Sequence, residues 1–365
     1  MALILSRALC GLKLPQMYGH ATFCMERVLT PNNNTFLINN SKLLNWSKQI
    51  SIMACDLYQE PRRIIRWSES DPTNSSTDNI GKNDDNPYHK ATIVSVEKIS
   101  DHSSKDDTYH IVFDHNGQFT NGYLEGQYFG VMPSAKNVSK QGDAKKLRYY
   151  FGACSRYGEN FNNTTTSLCV RLVPNRTSEF LCKLNPGDEI QVTGPTGHAM
   201  LLGDRNPYTT HIFTTFETGI APFRAHVGRL FNKNNHEQKY YGKVLLFHIV
   251  SSNGSILYKE EFEQYQKDYP SNFHYIVIKK NIHHFRTINR VKCLFRDPEI
   301  FGDHSRDVFN LLHNKRNAYI YLAGPREMAI PIENTLKNVA KKEGDDWRKT
   351  LERLKHNEQW RVQVF

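Results

Sequence analysis

Residues 218–224, Thr-Gly-Ile-Ala-Pro-Phe-Arg, follow an apolar run containing Ile212 and Phe213 and open an amphipathic segment. At such a junction a strand hands a dinucleotide phosphate to the N–H groups of a helix N-terminus. A diphosphate needs close approach to the backbone there, and glycine supplies the room. Gly219 is present, but Thr215 and Glu217 stand where such a loop would need further glycine. At about 5 Å and an effective dielectric of about 20, the Glu217 carboxylate opposes each phosphate charge by roughly 3 kcal/mol. The same carboxylate also has an explanation without a ligand: in a first helical turn it gains about 0.3–1 kcal/mol from the helix dipole.

The elements that must position this loop follow from hydrophobic rhythm. Pro222 costs nothing in a first turn, and Phe223, Val227, Leu230 and Phe231 share one face, which predicts a helix over 222–231. Apolar runs at 211–213, 244–250, 273–278 and 319–322 alternate with helical patterns over 259–267, 305–312, 331–342 and 347–354. That alternation predicts a parallel sheet covered on both faces. Upstream, short alternating runs at 91–96, 109–113, 128–132, 167–172 and 189–192, punctuated by Gly and Pro, predict an antiparallel barrel. The fold class is therefore β followed by α/β: a barrel over 87–205, then a doubly wound parallel-sheet domain over 206–365, with a cleft between them suited to a cofactor.

Length and composition bound the rest. At 365 residues, 39% hydrophobic and 12% aromatic, the chain has material for both domains and an extension. No stretch approaches the roughly 20 apolar residues of a membrane span. The seven cysteines contain no Cys-x-x-Cys pair, which argues against a zinc ribbon or a thioredoxin-like motif and for a reducing compartment. A formal charge of +10 favours acidic partners. Lys136, Lys140, Lys145, Lys146 and Arg148 form either a docking patch or a solvated basic loop. Without interleaved aromatics, nucleic acid is not expected. Residues 1–50 carry Arg7, Lys13, Arg27, Lys42 and Lys48 against Glu26 alone, which reads as an organelle transit sequence, with a poor signal peptide as the alternative. Residues 51–86 read as a flexible linker, most clearly the Ser, Thr, Asn and Asp of 71–86.

Several motifs occur in a distinctive order: Arg148-Tyr149-Tyr150-Phe151 running on to Ser155, Ser167-Leu168-Cys169-Val170, Ser178-Glu179-Phe180-Leu181, Asn185-Pro186-Gly187-Asp188, residues 193–197, the segment 218–224, residues 255–262, and the terminal Glu-Gln-Trp-Arg-Val-Gln-Val-Phe of 358–365. In order and spacing this resembles the plant-type ferredoxin–NADP reductase family over about 87–365. The resemblance implies an FAD-binding barrel, an NADP-binding α/β domain, and electron transfer between ferredoxin and NADP(H). It also implies a plastid, with a mitochondrion as the alternative, and ferredoxin or another acidic protein as partner. By the same resemblance Arg148 pairs with the flavin diphosphate, for which a planar guanidinium is suited. Tyr150 and Phe365 flank the isoalloxazine ring, and Ser178 receives the diphosphate. Outside that frame Arg148 reads as a surface charge and Tyr150 as a core residue. Thr218, Gly219, Lys279, Lys280 and Gly324 fall at NADP-contacting positions.

The departures from the family form a pattern. Phe151 replaces a small hydroxyl residue near the reactive flavin nitrogen, Ala323 replaces a cysteine beside the nicotinamide, and Gln363 replaces an acid assigned to proton relay. Each replacement keeps a side chain that packs and discards one that reacts. Beyond Val277 the family's serine, arginine and tyrosine give way to Lys279, Lys280, His283, His284 and Arg286. The cations could meet a phosphate as point charges, and the adjacent histidines read as surface residues rather than metal ligands. Residues 171–176 are shorter than the family segment that stacks on the FAD adenine. Two readings follow: a divergent reductase, or a non-catalytic structural or binding subunit of an organelle complex built on the reductase fold. A one-electron protein holding FAD alone is a third.

Overall fold

The change of hydrophobic rhythm near residue 210 is a change of sheet type. The computed structural model describes residues 88–119, 122–133, 146–203, 206–231, 239–280, 300–314 and 317–365. The transit and linker segments, the lysines of 136–145 and residues 283–286 lie outside the described residues.

Strands β1 (His89–Lys98), β2 (Thr108–Asp114), β3 (Tyr128–Pro133), β4 (Arg148–Phe151), β5 (Thr165–Arg171) and β6 (Glu189–Thr196) form an antiparallel sheet ordered β4-β3-β6-β1-β2-β5. Alternating residues such as Ile111, Phe113, Phe129, Val131, Leu168 and Val170 fill its interior. Its two end strands meet where Gly152 bridges Leu168 and the Ala153 N–H donates to Ser167 O at 2.7 Å, which closes the barrel. Glycine is required there, because a Cβ at 152 would lie 2.2 Å from Tyr123 Oη. Helix α1 (Thr177–Cys182) buries Leu181 against the barrel core.

The second sheet is parallel throughout, ordered β11-β10-β7-β8-β9. Its strands are β7 (Thr210–Phe216), β8 (Val244–Val250), β9 (Phe273–Lys279), β10 (Ala318–Gly324) and β11 (Trp360–Val364). Helices α2 (Ala221–Phe231) and α3 (Lys259–Asp268) pack on one face, and α4 (Ser305–Asn314), α5 (Ala329–Glu343) and α6 (Trp347–His356) on the other. Strand β7 serves both layers: Ile212 enters one core while Phe213 stacks on Phe223 at 4.6 Å in the other. Such a ring pair adds about 0.5–1.5 kcal/mol beyond burial. Gly344, at φ +79°, ends α5, and the Asp346 carboxylate accepts the Arg348 N–H to start α6. Strands β8 and β9 lie on one side of β7, β10 and β11 on the other. The chain thus reverses its winding between β7 and β10, and open α/β sheets bind ligands outside the carboxyl ends at such a point.

Candidate functional site

At that reversal the loop after β7 meets the end of β10. Residues Glu217–Ile220 form a 3₁₀ turn that leads directly into α2, with Pro222 in its first turn. A Cβ on Gly219 would lie 2.4 Å from Ala323 O and 2.7 Å from Thr215 Oγ1, so this glycine already serves the packing of two strands. Thr215 is fully buried, and its hydroxyl has no hydrogen-bond partner. Glu217 has φ +44°, a left-handed conformation that glycine adopts freely and other residues at a cost. Its carboxylate is 12% exposed: Oε1 accepts a hydrogen bond from Ser251 Oγ, and Oε2 lies 3.8 Å from Arg171 Nη1 at the end of β5. Arg171 Nη1 also lies 3.7 Å from Asp106 Oδ2. In this arrangement Thr215 packs inside the sheet, and Glu217 alone places a carboxylate where a glycine would leave room in the loop. Lys279 and Lys280 follow at the end of β9, where Lys279 pairs in register with Val250 beside Ser251. Arg286 and the histidines 283 and 284 lie outside the described residues.

The barrel brings another group together. Arg148 and Tyr150 alternate along β4 and so share a face. Burial pushes the Tyr150 phenol up, and the neighbouring Arg148 charge pulls it partly back. Thr177 Oγ1 donates to Lys146 O at 2.7 Å, which ties the first turn of α1 to the approach of β4. Ser178 is buried in that turn, and its Oγ accepts the Val173 N–H at 3.1 Å, so its own hydrogen can be donated to an anion. A guanidinium and a hydroxyl suit the diphosphate of FAD in chemistry, and Tyr150 packs partly against the barrel core. Phe365 comes from the other sheet: its N–H donates to Gly324 O at 3.3 Å, and its ring is 63% exposed.

Between these groups the cleft is apolar. Phe151 packs against a cluster that includes Ala153, Cys169 and Ala323, and Ala323 pairs in register with Gln363. The Gln363 amide donates to Val364 O at 3.3 Å. None of Phe151, Ala323 and Gln363 offers a titratable side chain.

Sequence reasoning assigned no role to the ion pairs behind this cleft. Arg224, in α2, donates to Glu159 Oε1 and Glu261 Oε2, each at 2.7 Å, and to Ala153 O at 3.0 Å, with its guanidinium 4.7 Å from the Tyr258 ring centre. Burial pushes Glu159 up, but His110 close by and hydrogen bonds from Arg224 outweigh it and hold this carboxyl well below the usual range. Glu125 is arranged likewise: burial raises it, yet Arg156 at 2.8 Å and Arg229 at 3.4 Å bring it below its ordinary value. His226 adds a neutral bond from α2, with Nε2 2.8 Å from Met200 O. The one available signal was the arginine ending an otherwise apolar Gly-Ile-Ala-Pro-Phe-Arg run, since a charge in that setting demands a partner. Among the described residues no three His, Cys, Asp or Glu gather to hold a metal ion, and no helix is long and apolar enough to cross a membrane.

A family model described as the oxidoreductase NAD-binding domain matches residues 218–334. The chain is 39% identical over 293 residues to root isozyme 1 of chloroplastic ferredoxin–NADP reductase from Arabidopsis thaliana, covering 76% of this chain and 75% of that protein. Leaf isozyme 1 from the same plant is 33% identical over 290 residues, covering 77% and 78%. Among solved structures, ferredoxin–NADP+ reductase from Plasmodium falciparum with 2′P-AMP aligns at a TM-score of 0.58 and 25% identity, covering 76% of this chain and 96% of that one.

Proposed function

This chain belongs to the ferredoxin–NADP reductase family, and on that premise we propose that it is an FAD flavoprotein that moves electrons between ferredoxin and NADP(H) in a plastid. The observation that supports the flavin half is the Thr177 to Lys146 hydrogen bond, which ties the turn carrying Ser178 to the strand carrying Arg148 and Tyr150. Arg148 and the Ser178 hydroxyl bind the diphosphate, the first by charge and the second by donation. Tyr150 and Phe365 hold the flat ring between them, and the exposed face of Phe365 suits that use. FAD, when bound, supplies the ability to take electrons singly and pass them on as a pair. Phe151 and Ala323 keep water from the reacting edge, and Gln363, whose amide donates to Val364 O, carries no proton. Thr218, Gly219 and Gly324 stand at the mouth where a nicotinamide would approach, with Lys279 and Lys280 as point charges further out. The net positive charge suits ferredoxin as an acidic partner, and the chloroplastic relatives support the plastid.

The non-catalytic reading draws on one observation, the carboxylate that Glu217 places in the dinucleotide loop. Spectroscopy of the purified full chain separates the two. Uptake of FAD, with flavin absorption bands and anaerobic bleaching by NADPH, is the expected result. A colourless protein that takes up no added FAD defeats the enzyme reading. Flavin that stays oxidised in millimolar NADPH leaves only one-electron chemistry.

A further inference from the structure

Glu217 is held in the loop by partners from other strands. Arg171 sits at the end of a barrel strand and reaches the loop that follows β7, so it is a barrel cation placed at the mouth of the nucleotide crevice. Its guanidinium faces two carboxylates, Asp106 at 3.7 Å and Glu217 at 3.8 Å, and its side chain is 45% exposed. Glu217 is the better fixed of the two acids. Its side chain is largely buried, Ser251 donates to it, and it occupies a backbone conformation that favours glycine. An acid kept in a conformation that disfavours it, pointed at a cation its neighbour already neutralises, behaves as an internal anion.

We propose that Glu217 is a specificity-determining residue: its carboxylate takes the position facing Arg171 that a nucleotide diphosphate would otherwise take, and so weakens binding of dinucleotides in particular. The inference rests on the nucleotide half of the proposed function and adds to it the residue pair that sets its affinity. Arg171 carries one charge against two acids, so this cluster offers an incoming diphosphate no net positive charge. With Glu217 neutral, Arg171 has a single counter-charge and can turn to an incoming phosphate. A ligand carrying only a 2′-phosphate on adenosine has no diphosphate to place there and is indifferent to the change. Lys279 and Lys280 lie on another strand end and are unaffected by it.

The test is titration of the FAD-loaded full chain with NADP+ and, separately, with adenosine 2′-phosphate, followed by calorimetry, for wild type, E217Q, R171Q and the double variant. Glutamine keeps the size of the side chain and its ability to accept from Ser251. E217Q is expected to tighten NADP+ binding about tenfold at low salt while moving adenosine 2′-phosphate less than about twofold. R171Q should change wild-type NADP+ affinity little, and should abolish the gain when combined with E217Q, which is the signature of a coupled pair. Equal NADP+ affinity in wild type and E217Q overturns the inference and leaves the proposed function standing. An equal gain for both ligands also overturns it, because it would report general loosening. Failure of every variant to bind NADP+ defeats the inference and the nucleotide half of the function together.

Discussion

Of the arginines that join the barrel to the parallel sheet, Arg224 and Arg171 do so in opposite ways. Arg224 has a side chain only 14% exposed, with carboxylates at 2.7 Å on both sides, a backbone carbonyl at 3.0 Å and an aromatic ring beneath it. Arg171 is 45% exposed, and its two carboxylates lie at 3.7 and 3.8 Å. Short, shielded bonds fix a geometry, whereas long, wet ones leave a side chain free to change partner at little cost. The seam is therefore rigid behind the cleft, where Ala153 and the flavin-side strand are held, and adjustable at the mouth, where a nucleotide would enter.

The largest effect expected from this contrast is on stability. R224A should cost about 3–5 kcal/mol in urea unfolding, because it strands Glu159 and Glu261 without their cation. R171Q should cost under about 0.5 kcal/mol, as exposed pairs generally do. Similar costs for the two would erase the distinction. Acid should act on both sides, because burial also lowers His248, beside Glu217, to about 3. Burial lowers His226 to about 4 and His211 to about 3, the latter helped by His226 nearby. Both folded values lie below the unfolded value of about 6.5, so their contribution is complete above that pH and is lost as pH falls toward 4. By pH 5 each has cost on the order of 2 kcal/mol. H226Q should flatten the fall between pH 6.5 and 5 by about one proton's worth, and an unchanged slope would show that His226 is not the neutral buried group described. Below about pH 4.5 the low-lying Glu159 carboxyl adds a further loss.

A third comparison sets the cleft against its mouth. The variant F151S/A323C/Q363E restores a hydroxyl, a thiol and an acid at the replaced positions. Turnover of NADPH with ferricyanide should rise about tenfold, equivalent to about 1.4 kcal/mol of barrel-cleft chemistry. If it rises only after E217Q is added, the mouth limits the reaction rather than the cleft.

Much of this architecture could be read from residue order, and the exceptions have physical causes. Strand β8, Val-Leu-Leu-Phe-His-Ile-Val, is a nearly continuous apolar run of the kind a sheet buried on both faces carries, whereas β7 is just as buried but mixes Ile212, Phe213 and Phe216 with threonines and His211. Strand β4, Arg-Tyr-Tyr-Phe, has no clean alternation, because one edge serves the barrel core and the other the cleft. Helix α1 is shorter than two turns, too brief for a periodic signal. Helix α5 starts at Ala329 rather than at Pro331, because proline is tolerated throughout a first turn, where no N–H is needed. Glu217 stood out in the sequence by its charge, but its partner did not: Arg171 is far away along the chain and the two meet only after both sheets form. The same holds for Arg224 and Glu159, which are 65 residues apart. Pairing across lobes leaves no trace in local periodicity.

The smallest expected effect tests the geometry on which the mouth depends. At φ +44° residue 217 should prefer glycine to alanine by about 1 kcal/mol, since only glycine enters the left-handed region without a Cβ clash. The bonds of the glutamate to Ser251 and Arg171 offset part of that preference in the native chain, each by well under the strain it opposes. E217G should therefore unfold at a temperature equal to or slightly above wild type, while E217A, which keeps the strain and loses both bonds, should fall below both. If E217A and E217G unfold together, the backbone at 217 is not left-handed. The carboxylate would then be held at Arg171 by its own contacts, rather than by a loop shaped for a residue that it lacks.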